Sequence, residues 1–572
     1  MDLDKFNNLT DLFFDQSEKI KKEDIFLEWL NKVNRKKFTW EQTQNCIFKL
    51  AKILKEYVKE GDRVLLVSEN RPEWLISDLS IMLSNAITVP AYSTYTENDY
   101  RYLIEDCEPT AVIVSNSSMH KKLEKIITEK EYIKTIITFD NITREESKKK
   151  YFQFESITKT VLSEKDKIKT TNQKRNSPAC IIYTSGTGGN PKGVILSHGG
   201  ILNNLKGASE ILKPLIDKKP TFLTWLPLSH SYEHTVQFVQ ISVGAKIFYA
   251  EKIEKLLENI SESKPTIMTA VPRFYQNLYN KININIKKAT RIKRYMINST
   301  IKLGRKKLLK ENMNFFENLL NSLLSFLVRK KIKKQFGGEL KAFVSGGGAL
   351  DKEIGEFLNA LGLPTLQGYG LTETSPVVSC NPIDEIKIET VGPPFKGNKV
   401  KIAEDGEILV KGENVMLGYW NNTEETKKVL RDGWLYTGDI GEIDKENGYL
   451  KITDRKKDII VNAGGDNISP AKIENFLSNS EAIDQCMVYG DKKNYLVALI
   501  VPTKEFKGNK DKIKIIINDI NEELTLAEKV KKFYLIEENF SIENGLLTPT
   551  MKVKRNKVTQ KYKDILESLY KK

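Results

Sequence analysis

Apolar residues fall in short blocks separated by polar, helix-periodic stretches, the pattern of an α/β chain. Positions 63–67 and 111–114 read as buried strands, with a helix around 74–83 between them. Strands are predicted at 181–183 and 194–196, on either side of a Gly-rich loop, and at 342–344, which runs into Gly346-Gly347-Gly348. Beyond about residue 385 the pattern changes to short alternating strands at 398–402, 407–410 and 449–452, which predicts a small β subdomain. After Asp454 it changes again: 459–461, a Pro470-started helix to 477, then strands at 486–489 and 497–501. The expected class is α/β. A large N-terminal domain over 1–454, of α/β layers plus the small β subdomain, precedes a smaller α+β C-terminal domain over 455–572.

Composition narrows the setting. At 572 residues the chain exceeds one core, and 40% hydrophobic residues with 33 Gly and 18 Pro read as globular. Five cysteines (Cys46, Cys107, Cys180, Cys380, Cys486) lie far apart, which offers neither a disulfide ladder nor a CxxC metal site and suits a reducing compartment. The start, MDLDKFNNLTDLFF, is acidic where a secretory signal is basic, and no apolar run approaches the ~18–20 residues that span a bilayer. A cytoplasmic protein is expected, with peripheral attachment to the inner face of the membrane as the open question.

That question comes from the charge. Of the net +15, the stretch 281–334 alone holds 16 Lys+Arg against 2 Asp+Glu, leaving about +1 for the other 518 residues. Within it, 315–328 (FFENLLNSLLSFLV) is helix-periodic, with Phe316, Leu320, Leu323 and Leu327 on one face and Arg305-Lys306-Lys307 and Arg329-Lys330-Lys331 flanking it. The commoner meaning is a core helix with solvated basic neighbours, because amphipathic helices pack on protein far more often than on lipid. The alternative is an element for an anionic membrane surface. Neither zinc-finger spacing nor an aromatic-studded RNA signature is present, so nucleic acid is not an expected partner.

The strongest local signal is 183–193, YTSGTGGNPKG. Hydroxyls of Thr184, Ser185 and Thr187, glycines including Gly186 and Gly189, and Lys192 concentrate in one loop. Backbone N–H groups freed by glycine, with hydroxyls and an ammonium, make a polyphosphate cradle. It is not a Walker A loop: Pro191 precedes Lys192, Gly193 follows it, and a strand rather than a helix comes next. YGLTET at 369–374 sets an aromatic beside two threonines and Glu373, whose hard oxygens suit Mg²⁺. YTGDIG at 436–441 is expected to hold Asp439 in a tight turn, where it accepts ribose hydroxyls or merely shapes the turn. DRKKD at 454–458 reads as a solvated turn, and LTPTMKVKR at 547–555 as a basic tail.

HSYEH at 230–234 matches an inverted zinc-protease pattern, a five-residue match that chance supplies cheaply. Pro227-Leu228-Ser229 upstream reads as a helix entry with Ser229 as the cap, and zinc is not expected.

Taken in order, YTSGTGGNPKG, GGGAL, YGLTET, LYTGDIG, DRKKDIIVNAGGDNISP and PTMKVKR resemble the successive core motifs of the AMP-forming adenylate-forming superfamily. That group comprises acyl-CoA synthetases, peptide-synthetase adenylation domains and firefly luciferase. The resemblance covers about residues 40–565. It is strongest to long-chain fatty-acid–CoA ligases, on ENRPEW at 69–74, LPLSHSYEH at 226–234, the long basic insertion before SGGGAL, and DRKKD.

The resemblance implies two steps. A fatty acid and ATP give acyl-AMP and pyrophosphate, then the thiol of CoA, or of an acyl-carrier protein, displaces AMP. It implies that Thr184–Lys192 cradle the β- and γ-phosphates, that Glu373 helps bind Mg²⁺ and that Thr372 approaches the α-phosphate. Tyr369 stacks adenine beside the Gly347-Gly348 backbone, while Asp439 and Arg455 hold the ribose. Lys552 bridges carboxylate and α-phosphate, and His230 belongs to the carboxylate site. A mobile C-terminal domain turns about Lys457 between steps, bringing Gly464 and Gly465 where pantetheine passes. One departure stands out: Gly188 occupies the place of a second loop threonine, removing a hydroxyl. Outside this family, a basic peripheral membrane protein without catalysis and a zinc hydrolase are the competing classes.

Overall fold

A computed structural model describes residues 2–143, 147–169, 171–184, 191–216, 218–548 and 551–571. Two eight-stranded sheets form the N-terminal body. In the first, the strands Ile87–Ala91, Arg63–Val67, Ala111–Val114, Thr135–Thr138 and Lys150–Gln153 run parallel. Pro178–Thr184 joins Ile87–Ala91 in parallel and turns back antiparallel into Lys192–Ser197, so the Gly-rich loop sits at the end of a hairpin. In the second, Ala342–Ser345 lies between Ile267–Ala270 and Thr365–Gly370, all parallel. The central strands Arg63–Val67, Ile87–Ala91 and Ala111–Val114 are rich in Val, Ile and Leu and almost wholly buried, as the middle of a parallel sheet requires, whereas the edge strand Lys150–Gln153 is partly exposed.

The helix Pro72–Leu83 is buried along its whole length. Arg71 at its N-cap is fully buried; it donates to Glu73 at 3.0 Å and Asp140 at 2.9 Å and lies 4.6 Å from the Trp29 ring. Arg71 and Glu73 of the ENRPEW motif are thus a buried ion pair at the centre of a charge network whose outer acids, Glu69 and Asp140, reach solvent; each buried ion is paired because an unpaired one would be costly. A five-stranded antiparallel sheet forms the β subdomain. Its long strand Trp434–Ile443 pairs with Leu450–Arg455, and Asp439 lies within that strand rather than in the tight turn expected. The C-terminal domain combines the hairpin of Ile460–Val461 and Asn467–Ile468 with a three-stranded sheet of Ile483–Tyr489, Leu496–Pro502 and Val530–Leu535.

The basic insertion is helical: Pro272–Lys288, Arg291–Leu308 and Phe315–Leu324, then a π-helical turn, Ser325–Arg329, and Lys330–Gln335. The core-helix expectation fails here. The face that packs carries Asn321, Leu324 and Val328, whereas Phe316, Leu320 and Leu323 point to solvent and Leu327 is half-buried. Among the described residues no helix is long and apolar enough to cross a membrane.

Candidate active site

Loops carrying the motifs converge at the C-terminal ends of the second sheet's parallel strands, the usual ligand edge of such sheets. Thr365–Gly370 leads into the short turn Thr372–Thr374, where Thr372 Oγ1 lies 3.1 Å from Ser231 Oγ. Ser231 opens the helix Ser231–Ser242, and Tyr232 on it donates to the Val344 carbonyl at 3.1 Å. A Cβ on Gly346 would come within 2.9 Å of the Tyr232 ring, so this glycine is what lets the helix close on the strand end. The next glycine, Gly347, has φ +79°, and Gly348 lies against Pro272. Both are exposed at the rim.

The hairpin that carries the Gly-rich loop supplies a second side. Thr184 and Lys192 are register partners across it. Lys192 pairs with Glu425, and its ammonium lies 5.1 Å from the Tyr419 ring. Hydrogen bonds from Lys192 and Lys428 pull the Glu425 carboxyl down to about 2. Tyr419 lies on the short strand Gly418–Tyr419 beside Val194, and its phenol donates to Glu373 Oε1 at 2.8 Å. Loop lysine, tyrosine and glutamate thus form one continuous wall. Ser185, Gly186, Thr187, Gly188 and Gly189 lie outside the described residues.

The β subdomain supplies the third side. Asp439 and Arg455 are register partners on adjacent strands; Arg455 Nε donates to Asp439 Oδ1 at 2.9 Å and Tyr369 donates to Oδ2 at 2.7 Å. Burial, with the Asp439 carboxylate, raises the Tyr369 phenol well above its usual range. Three motifs far apart in sequence meet on one carboxylate.

Lys552 reaches this cleft from the C-terminal domain. Its side chain remains open to water within the cleft, yet the surrounding walls limit its solvation. That desolvation and the Arg455 charge push the ammonium down to about 8, against the pull of Asp439 and Asp458. Burial and the same lysine push His230 down to about 4, so the imidazole is neutral at physiological pH. The domain is held there by the helix Pro272–Lys288: Arg273 bonds Asp484, Gln276 donates to the Ser478 carbonyl, and Lys287 meets Glu481 at 2.8 Å.

The HSYEH side chains diverge. His230, not Ser229, is the N-cap, with Nδ1 accepting from the Tyr232 amide at 3.2 Å. Glu233 accepts from Thr269 at 2.8 Å, and burial raises its carboxyl to about 8. His234 Nε2 meets buried Asp78 at 2.8 Å. Among the described residues no three His, Cys, Asp or Glu side chains are grouped to hold a metal. Glu373 nevertheless suits a Mg²⁺ that arrives with a nucleotide, since that ion commonly takes one carboxylate and completes its shell with phosphate and water.

Lys457 lies in the exposed turn after Leu450–Arg455. Gly464 and Gly465 lie exposed at the tip of the hairpin joining Ile460–Val461 to Asn467–Ile468, and Gly465 has φ +87° with open space where a Cβ would project. Tyr419, Glu425 and Ser231 carry contacts in the site that no motif pointed to. Their only signal is the GYWNN segment at 418–422 between two β-subdomain strands, with Glu425 three residues beyond it, and the serine inside HSYEH.

The AMP-binding enzyme profile matches residues 14–420, and the AMP-binding enzyme C-terminal domain profile matches 457–572. A protein of Mycobacterium bovis named long-chain-fatty-acid–CoA ligase FadD15 is 31% identical over 546 residues, covering 90% of this chain and 89% of its own. A chloroplastic long-chain-fatty-acid–[acyl-carrier-protein] ligase of Arabidopsis thaliana is 28% identical, covering 93% and 83%. In three dimensions the chain superposes on an anthranilate CoA ligase in complex with anthranoyl-AMP with a TM-score of 0.77, covering 98% and 99% at 20% identity.

Proposed function

The chain belongs to the AMP-binding enzyme family, and from that premise we propose that it activates a long-chain fatty acid with ATP and passes the acyl group to CoA. The carboxylate oxygen attacks the α-phosphorus, the bond to pyrophosphate breaks, and acyl-AMP remains. The thiol sulfur then attacks the acyl carbon, its proton passes to water or buffer, and AMP leaves.

The observation that carries this reading is the position of Lys552, a cation brought from a separate domain to the cleft where Thr372, Tyr369, Asp439 and Arg455 meet. Two anions must meet in the first step, and a poised cation lowers that barrier by stabilising the charge between them. Lys192 and Thr184, at the mouth of the Gly-rich hairpin, would meet the β- and γ-phosphates, and Asp439 with Arg455 the ribose hydroxyls. Mg²⁺ held at Glu373 would neutralise phosphate charge. Neutral His230, beside Lys552, can turn toward the carboxylate without adding a competing cation. For the second step, rotation about Lys457 withdraws Lys552 and brings forward Gly464 and Gly465, whose lack of side chains suits close passage of pantetheine.

The test is ATP–pyrophosphate exchange without thiol, using acids from acetate to oleate. Exchange that rises with chain length supports the reading, whereas exchange confined to short or aromatic acids refutes the acyl class. Addition of CoA or acyl-carrier protein then separates the two acceptors. The carrier protein is the second reading, on the strength of the Arabidopsis relative's printed name.

A further inference from the structure

The helical insertion presents apolar side chains on two sides. Its inner side packs Leu324 and Val328 against Leu303, and Arg329 pins it by donating to the carbonyls of Ala360 at 2.7 Å and Thr300 at 3.1 Å. Its outer side is uncovered: Phe315 is 76% exposed, Phe316 78%, Leu319 61%, Leu323 54% and Phe326 64%. With Leu320 these follow helical spacing on one face. Soluble surfaces carry single exposed apolar residues freely, but seldom a contiguous ridge of this size.

Cations border the ridge. The Lys330 ammonium lies 4.9 Å from the Phe326 ring, and Lys306 reaches across to Glu317 at 2.7 Å, neutralising the one acid on the ridge helix. Lys302, Lys307 and Lys331 are exposed and form no ion pair among the described residues. A second copy of the chain is a poor cover, because each brings the same net +14 segment and the remaining 518 residues offer about +1. The cover must be apolar below and negative above, which describes the boundary of an anionic bilayer.

We propose that this face docks the protein on an anionic lipid surface, with Phe315, Phe316, Leu319, Leu323 and Phe326 entering the acyl boundary and the flanking lysines meeting lipid phosphates. Both parts are needed, since neither a short apolar ridge nor a basic patch anchors strongly alone. The assignment stands apart from the reaction, which uses none of these residues. The insertion nevertheless leaves the cleft wall directly, starting at Pro272 beside Gly348.

The experiment is co-sedimentation of the full chain with vesicles of phosphatidylcholine alone and of phosphatidylcholine with roughly a third phosphatidylglycerol. The wild-type chain is expected to bind the anionic vesicles, weakly or not at all the neutral ones, and to be released by salt. The F316S/L319S/F326S variant removes no core contact and should keep its thermal midpoint and pyrophosphate exchange while its partition coefficient drops about tenfold or more. Lys330→Gln and Lys331→Gln should each lower it about fivefold. Equal binding to both vesicle types, unchanged binding by the triple variant, or no binding by the wild type overturns the proposal. So does a dimer that the triple variant dissociates without any effect on vesicle binding.

Discussion

Arg273 of the N-terminal body holds Asp484 of the C-terminal domain by two bonds, Nη2 to Oδ1 at 2.5 Å and Nη1 to the main-chain oxygen at 2.8 Å. In the proposed reaction this clasp, by keeping Lys552 over the cleft, favours the arrangement for adenylation. Arg273→Ala is expected to slow fatty-acid-dependent pyrophosphate exchange by about fivefold, the scale of a partly exposed ion pair. Thioester formation from supplied acyl-AMP should be unchanged or faster. Equal slowing of both half-reactions would show that the clasp does not select a domain arrangement.

If Lys552 acts as proposed, adenylation is expected to have an alkaline limit. An ammonium that titrates near 8 rather than 10.5 is charged below that pH and neutral above it. The kcat/KM for adenylation, which reports the free enzyme, should therefore fall as pH rises through about 8. Lys552→Arg keeps its charge and should shift that limb upward. Lys552→Ala should cost roughly 10²–10³ in exchange and leave thiolation of acyl-AMP largely intact. A pH profile identical in wild type and Lys552→Arg would remove the lysine from this role.

Much of this arrangement was legible before any coordinates. Buried parallel strands announce themselves as short Val/Ile runs, and the strands Arg63–Val67 and Ala111–Val114 coincide with the blocks that predict them. Motif order led to Lys552, which no local pattern distinguishes from its basic neighbours. Asp439 was misplaced because Gly438, at φ +72°, mimics a turn within a strand that continues through it. The stripe of Phe316, Leu320 and Leu323 was legible as amphipathic, but periodicity does not say whether the apolar face meets protein or solvent. Pairings such as Tyr419 with Glu373 depend on strand register between distant segments, and single-chain patterns carry no trace of it.

His234 and Asp78 form a buried pair whose part is stability. Burial opposes the imidazolium, but the Asp78 carboxylate, with Cys180 beside it, outweighs burial and raises His234 to about 10 from 6.5. The folded pKa lies above the unfolded one, so the pair's stabilisation is complete below pH 6.5 and is lost as pH rises through about 10. His234→Leu leaves Asp78 buried without its cation, at a cost of about 3–5 kcal/mol. Denaturant unfolding at neutral pH measures that loss. A metal chelator should leave the wild-type midpoint unchanged, whereas a chelator-sensitive midpoint would return HSYEH to metal binding.

Tyr419 is the residue through which the phosphate-loop side and Glu373 are joined. Its phenol donates to Glu373 Oε1 at 2.8 Å while its ring faces the Lys192 ammonium at 5.1 Å. A hydrogen bond to a carboxylate contributes about 1.5–3 kcal/mol, and here it also fixes which way the carboxylate faces. Tyr419→Phe keeps the ring and the cation contact but frees Glu373 to rotate. A Mg²⁺ titration of pyrophosphate exchange should show half-saturation rising about tenfold, with the rate at saturating Mg²⁺ falling much less. Tyr419→Leu, which also strips the ring from Lys192, should in addition raise the KM for ATP. If Tyr419→Phe lowers the maximal rate and leaves the Mg²⁺ dependence untouched, the tyrosine acts on the phosphate loop rather than on the carboxylate, and Glu373 must be oriented from elsewhere.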